Sequence, residues 1–285
     1  MQNFGCKISP VITVIVAVYN GAETIEQCIN SVVNQSYHNV ELIIIDGNSN
    51  DKTVDILRSN QSAINYWVSE KDAGIYSAWN KGLIQAKGDW VVFLGADDYL
   101  FDNDVLKNVD EQLKSLPIDT FVAYGKVMLV NIENERIYAI GKPWGEIKSR
   151  FKQTMCIPHQ GVFHNRQLFE KYGYFDESFQ IAGDYELLLR YLKVHDAVFM
   201  PNLVITSMRQ GGASTHVSNV LQVFREYRKS QLKNGINIFG QVWVVSLIKV
   251  YLRIVLWRVL GEKNAKYIFD KGRSIFGIKP YWTKL

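Results

Sequence analysis

Four short apolar runs in roughly the first hundred residues are each followed by polar groups suited to binding or chemistry. These are Tyr19-Asn20-Gly21, Asp46-Gly47-Asn48-Ser49, Ser69-Glu70-Lys71-Asp72 and Gly95-Ala96-Asp97-Asp98. Three of the four carry carboxylates, which suit a hard cation and the hydroxyls of a sugar or base better than bare phosphate. A cradle for phosphate alone would favour glycines and a lysine, and neither G-x-G-x-x-G nor G-x-x-x-x-G-K-[ST] occurs.

The runs themselves, over residues 12–18, 42–45, 64–68 and 91–94, are rich in β-branched residues and are separated by stretches of helical character at 22–35, 51–59 and 75–86. Ile25, Ile29, Val32 and Val33 illustrate the helical spacing. This is βαβ patterning, so the expected architecture is α/β with a mostly parallel sheet. In such a sheet ligands bind beyond the carboxyl ends of the strands, where the four polar groups stand. Further on, the pattern predicts a helix over 104–115, a β-hairpin from 121–130 and 136–140, and helices over 167–172 and 185–194. Pro158-His159-Gln160 and the stretch 173–184 read as polar loops of the kind that carry function on a rigid scaffold.

The chain has 285 residues, 47% hydrophobic and 21% charged, enough for one large core with an appendage. Cys6, Cys28 and Cys156 have no C-x-x-C spacing, which argues against a disulfide framework or a thiolate zinc site and fits a reducing cytoplasm. Lys7 before the apolar run 11–18 resembles a signal peptide, but no A-x-A-like site follows, and the run reads as a first buried strand.

From Arg225 onward, 13 Lys or Arg face 3 Asp or Glu, a formal +10 within a chain whose total is +4. Over 238–260 apolar residues dominate, yet Lys249, Arg253 and Arg258 interrupt any membrane span. Ser246, Lys249 and Arg253 form a narrow polar stripe, with Trp243, Val250, Ile254 and Trp257 elsewhere on the wheel. Two readings stand: a basic helix lying in a membrane interface, or a helix packed on the catalytic domain or a second subunit.

Together these segments resemble family-2 glycosyltransferases of bacterial polysaccharide biosynthesis, which have the GT-A fold. The resemblance runs over residues 10–214, through VITVIVAVYNGAETIEQCINSVVNQSY, VELIIIDGNSNDKT and SEKDAGIYSAWNKGLIQAKGDWVVFLGADDYL. It implies a Rossmann-like sheet flanked by helices, with residues 1–220 as the catalytic domain and 221–285 as a basic amphipathic helical tail. The nucleotide half would be about 1–100 and the acceptor half about 101–220.

It also implies roles for particular residues. Asp46 stands where the family binds the nucleotide base, although this chain reads Asp46-Gly47-Asn48-Ser49 where D-D-G-S is commoner. Val18, Tyr19, Asn20, Asp72, Lys81 and Asp97 would line the nucleotide, with a helix cap as the other reading of Asp72. Asp97 and Asp98 match the metal motif and would hold Mn2+ or Mg2+ against the diphosphate, the alternative being a turn-forming pair. Asp184, in IAGDYEL, matches the family's base, with Gly183 where Glu is frequent; the same aspartate could also cap the helix that follows. His159 and Gln160 in IPHQGVF, and Arg209 before Gly211-Gly212-Ala213-Ser214, resemble acceptor-side and diphosphate-side segments, and His216 is a candidate third metal ligand.

The activity implied is inverting transfer from a nucleotide-sugar donor, with a UDP-sugar expected, to a saccharide or polyprenyl-linked acceptor. Capsule, lipopolysaccharide O-antigen or exopolysaccharide assembly at the inner membrane face would be the setting. A sugar-phosphate nucleotidyltransferase would carry a glycine-rich basic loop after its first strand, and residues 18–23 carry none. A silent nucleotide-sugar binding protein is the rival outside the enzymes. Nucleic acid is not an expected partner, because the basic residues of the tail are interleaved with apolar ones.

Overall fold

The computed structural model describes residues 12–131, 133–209, 217–237, 241–275, 277 and 283. Gly211-Gly212-Ala213-Ser214 and His216 lie outside the described residues, as do Cys6, Lys7 and residues 238–240.

Strands β1 (Ile12–Val18), β2 (Val40–Asp46), β3 (Tyr66–Ser69) and β4 (Trp90–Gly95) pair in parallel in the order β3-β2-β1-β4. They are continuous apolar runs because both faces are covered. Ile12, Val14, Val16, Leu42 and Ile44 point to one face, packing with Ile25, Cys28 and Ile29 of α1 (Ile25–Val33) and with α4 (Val105–Lys114). Ile15, Ile43 and Ile45 point to the other, against Tyr76, Trp79 and Leu83 of α3 (Ile75–Gln85). The two-residue side-chain period thus divides one strand between two cores. Between β2 and β3 lies the short α2 (Thr53–Ser59).

Beyond β4 the pairing changes. β8 (Val162–Asn165) is antiparallel to both β4 and β6 (Val122–Val130), and β7 (Arg136–Ile140) closes the expected hairpin on β6. β9 (Val198–Arg209) runs parallel to β6 and antiparallel to the two-residue β5 (Tyr99–Leu100). The sheet expected to be mostly parallel is therefore mixed, with four parallel and four antiparallel pairings. A tight turn such as Asn131 to Glu135 cannot reverse a chain into a parallel neighbour, which needs a crossover of a dozen or more residues.

A further core joins β6 and β8 to α5 (Trp144–Phe151) and α7 (Gly183–Leu192) through Tyr124, Phe151, Val162, Tyr185 and Leu188. α6 (Gln167–Tyr172) lies beside it.

The boundary expected at residue 220 falls at the first residue of α8 (Val220–Lys233), and α8 is fastened to the body that precedes it. The buried Glu226 carboxylate accepts the backbone N–H groups of Gln180, Ile181 and Ala182 at 3.1, 2.9 and 2.8 Å. Lys233 pairs with Asp176 at 2.7 Å and Lys229 donates to the Ser178 carbonyl at 2.9 Å. The tail proper is α9 (Gln241–Ile275), broken at Gly261, whose φ of 73° leaves the helical region. Among the described residues no helix is long and apolar enough to cross a membrane.

Candidate active site

At the carboxyl end of β1, Asn20 takes φ 51°, and the turn is laced to the β2–α2 loop. Asn20 N donates to Ser49 Oγ at 2.7 Å, Gly21 N to Thr53 Oγ1 at 2.9 Å, and Asn50 N to Asn20 Oδ1 at 3.0 Å. Tyr19 is exposed, and Val18 is buried with its carbonyl accepting Gly47 N at 2.9 Å. Asp46 is fully buried. Its carboxylate accepts the Ser49 N–H at 3.0 Å, the Ser69 hydroxyl at 2.5 Å and the Ser49 hydroxyl. Three of its roughly four acceptor sites are thus engaged in shaping the loop, in partnership with Ser49 and Ser69, to which the sequence alone assigned no role.

At Gly47 the chain departs from D-D-G-S, and a Cβ placed there would stand 2.9 Å from Asp72 Oδ2, so the Asp72 carboxylate would have to turn aside. Asp72 is not the helix cap: that position belongs to Gly74, whose N–H donates to Asp72 Oδ1 at 2.9 Å in an Asx-type turn. Lys81 reaches back along α3 to Glu70 at 2.8 Å and to the Lys71 carbonyl at 3.2 Å, so its ammonium fastens the same loop.

The two metal-motif aspartates differ. Asp97 is exposed and Asp98 is buried, and both carboxylates fold back over Gly95, where a Cβ would lie 2.7 Å from Asp97 Oδ1 and 3.1 Å from Asp98 Oδ2. Burial, and then the charge of Asp97, push the Asp98 carboxyl well above the usual range. A cation between them would relieve both effects, and one or two carboxylates plus phosphate oxygens is the ligand set that Mg2+ or Mn2+ takes. The pair therefore fits such an ion without a third protein ligand. No group of three or more His, Cys, Asp or Glu arranged for a metal exists among the described residues.

Gln160 and Arg209 meet at Asp98. The Gln160 side chain hydrogen-bonds it, and the Arg209 N–H donates to Oδ1 at 3.3 Å. The Arg209 guanidinium is steadied by Gln27 Oε1 at 2.6 Å and Asn134 Oδ1 at 3.1 Å. His159, one residue from Gln160, turns the opposite way. It is buried among Trp79, Phe93, His164 and Phe175, with ring centroids 5.1–6.2 Å away, and burial holds its imidazole neutral. The hydrogen bond to donor or acceptor expected of His159 is thus replaced by ring packing, since its neighbours Ile157, Val162 and Phe163 draw the segment into the core.

Asp184 lies in the first turn of α7 and is not its cap residue, which is Ala182. Oδ1 accepts the Tyr185 N–H at 2.8 Å and the Tyr76 hydroxyl at 3.4 Å. Burial pushes its pKa up to about 6 against the opposing pull of these hydrogen bonds, placing it where a general base works best near neutral pH. Gly183 has its own steric reason: a Cβ there would be 2.8 Å from Tyr76 Cε2. Both glycine departures thus make room for a residue of the β3–α3 segment, Asp72 in one case and Tyr76 in the other.

The parallel strands β3-β2-β1-β4, continued by the antiparallel-paired strands beyond β4 and flanked by helices, make a GT-A type fold. Residues 13–173 match the model of glycosyl transferase family 2, and the chain belongs to that family. An uncharacterized glycosyltransferase of Rickettsia typhi is 28% identical over 225 residues, 77% of this chain and 70% of that one. A PGL/p-HBAD biosynthesis glycosyltransferase of Mycobacterium bovis is 30% identical over 188 residues, 64% of this chain and 70% of the other. Among solved structures, S. aureus TarS in complex with UDP-GlcNAc superposes with TM-score 0.61 at 17% identity, covering 87% of this chain and 73% of that one. The mannosyltransferase PcManGT of Pyrobaculum calidifontis, in complex with GDP-Man and Mn2+, gives 0.61 at 18%, covering 97% and 84%.

The contact of Tyr76 with Gly183 makes a stability prediction. Gly183→Ala forces the ring aside and should cost about 1–3 kcal/mol in urea unfolding. In the Tyr76→Ala background the same change should cost clearly less, a coupling that a double-mutant cycle reads directly.

Proposed function

We propose that the chain is a metal-dependent inverting transferase moving a sugar from a UDP-sugar to a hydroxyl of a lipid-linked saccharide in cell-surface polysaccharide assembly. The observation that carries it is Asp184: a partly buried carboxylate raised to about 6, held by Tyr76. As the acceptor oxygen attacks the anomeric carbon from the face opposite the diphosphate, Asp184 takes its proton. The bond from that carbon to the diphosphate oxygen breaks, and the electron pair leaves with UDP. One positioned base suffices for a single displacement, and no covalent sugar intermediate is needed.

Asp97 and Asp98 would hold Mn2+ or Mg2+, which when bound supplies charge stabilisation to the leaving diphosphate. Arg209, fixed by Gln27 and Asn134, stands beside that pair with a guanidinium suited to phosphate oxygens. Asp46 shapes the base pocket through Ser49 and Ser69, with Val18, Tyr19, Asn20 and Asp72 as its walls and Lys81 fastening the β3–α3 edge. The Mn2+ and GDP-Man complex of PcManGT and the UDP-GlcNAc complex of TarS support a nucleotide-sugar donor with a divalent ion. The name of the M. bovis relative supports a biosynthetic role.

The membrane reading draws on α9. Val244, Ile248, Tyr251, Leu252, Val255 and Val259 recur at spacings of three, four and one along a single face, each about half exposed or more. Ser246 and Arg253 lie on the opposite side, half-buried toward α8, and Lys249 beside them is exposed. The aliphatic stripe is thereby turned outward, the orientation suited to a helix resting on acyl chains.

Asp184, the aspartate pair and α9 each carry a test. Asp184→Asn should lower kcat about a hundred- to ten-thousand-fold with the fold intact, and kcat/KM of the parent should fall tenfold per pH unit below about pH 6. Because the native state holds this proton above the ordinary carboxylate pKa, its carboxylate destabilises the fold progressively as pH rises through 6. Asp184→Asn should therefore be the more stable protein at pH 8 and equal at pH 3; full transfer by the variant would sink the base assignment.

Calorimetric titration with UDP should give binding strengthened by Mn2+, and Asp98→Ala should abolish that strengthening; metal-indifferent UDP binding would overturn the aspartate-pair reading. The chain should sediment with anionic vesicles at low salt, and the surface double variant Ile248→Glu/Val255→Glu should remain in the supernatant; a parent that ignores vesicles removes the membrane reading.

A further inference from the structure

One face of α8 is given over to the segment that leads into Asp184. Gln222, Glu226, Lys229 and Lys233 stand at spacings of four, three and four, which brings their side chains into a single stripe. Each reaches the chain between Asp176 and Glu186. Gln222 Nε2 donates to Gln180 Oε1 at 2.6 Å, and the Lys229 ammonium donates to the carbonyl and hydroxyl of Ser178 at 2.9 and 2.8 Å. Lys233 pairs with Asp176 at 2.7 Å and with Glu186 at 3.3 Å.

Glu226 differs from the other three in what it holds. Its carboxylate takes the successive N–H groups of Gln180, Ile181 and Ala182, and also Gln222 Nε2 at 3.1 Å. Ala182 is the cap of α7, so the residue that starts the helix bearing Asp184 is tied down by a side chain from α8. Three converging N–H groups suit an anion. None of the donors to Glu226 is charged, and among the described residues no ion pair reaches either Glu226 or Asp184.

The ionisable groups set against Asp184 from neighbouring elements are Tyr76 of α3 and Glu226 and Tyr227 of α8. On α7 itself Glu186 is bound by the Arg190 guanidinium through both oxygens. Glu226 is therefore a like charge, without a cation of its own, held beside the candidate base, and like charge works with burial to raise a carboxyl group.

We propose that Glu226 is a positioning residue for the transfer: by closing on the N–H groups of residues 180–182 it sets where α7 begins, and with that the place of Asp184 and the negative charge it faces. The proposal rests on the reading of Asp184 as the base.

The test is an NMR titration of the full chain carrying carbon-13 at its aspartate carboxyl groups, with the Asp184 signal assigned by its loss in Asp184→Asn. The parent midpoint should stand at about 6. Glu226→Gln keeps the size of the side chain, removes the charge and turns one acceptor into a donor, so the Asp184 midpoint should fall by about half a pH unit or more. Glu226→Asp keeps the charge but draws it back by one methylene, and should shift the midpoint the same way by less. A folded Glu226→Gln protein that is merely less stable in urea, with the Asp184 midpoint unmoved or raised, overturns the proposal, because a purely structural seal would give that result. Should Glu226→Gln not fold, Glu226→Asp decides by the same reading, and an unmoved or raised midpoint again overturns it. The titration uses no substrate. Full transfer by Asp184→Asn would overturn the base reading and leave the midpoint shift in place, so the two failures are told apart.

Discussion

The ring of Tyr76 lies against the bare backbone of Gly183, and the relation between the two chemical ends of the site depends on that contact. Tyr76 meets Trp79 edge-on at 5.6 Å, Trp79 meets His159 at 5.2 Å, and the residue after His159 hydrogen-bonds Asp98. Asp184, hydrogen-bonded to the Tyr76 hydroxyl, is thus joined to the aspartate pair by close-packed rings. Packed interiors resist deformation, so the separation between Asp184 and the aspartate pair is set by a core, although the pair itself lies on a loop.

That core supports groups that folding alone would not choose. Asp98 is buried beside a second carboxylate, Asp184 is raised in pKa, and His159 and His164 bury imidazole nitrogens that burial keeps neutral, the latter pushed down to about 3. Each opposes stability, and the apolar faces of β1, β2 and β4 offset them. Burial next to the same aspartates also drives the Cys28 thiol upward, so it stays protonated under Gly95.

Much of this was legible in the sequence because its causes are local. The β-branched runs and the polar residues after them located the parallel half and the carboxyl ends of its strands, and the Asp97-Asp98 pair was visible at one of those ends. What escaped depends on partners distant in the chain. Nothing near Glu226 announces that it serves residues 180–182, and nothing in IPHQGVF tells that Gln160 turns to Asp98 while His159 turns to Trp79. The helical wheel of α9 separated a polar stripe from an apolar surface, but which side meets the protein is decided by Phe224 and Tyr227 on α8. The two glycine departures were visible as departures; their reason required Asp72 and Tyr76 in space.

Glu226 makes the basic C-terminal region and the chemistry a single cooperative unit. The helix on which α9 packs also supplies the acceptors for the strand of backbone that leads into Asp184. Any rotation of α8 is transmitted to the backbone leading into Asp184 through three hydrogen bonds and no flexible linker, so the placement of that helix and the placement of the candidate base are one variable.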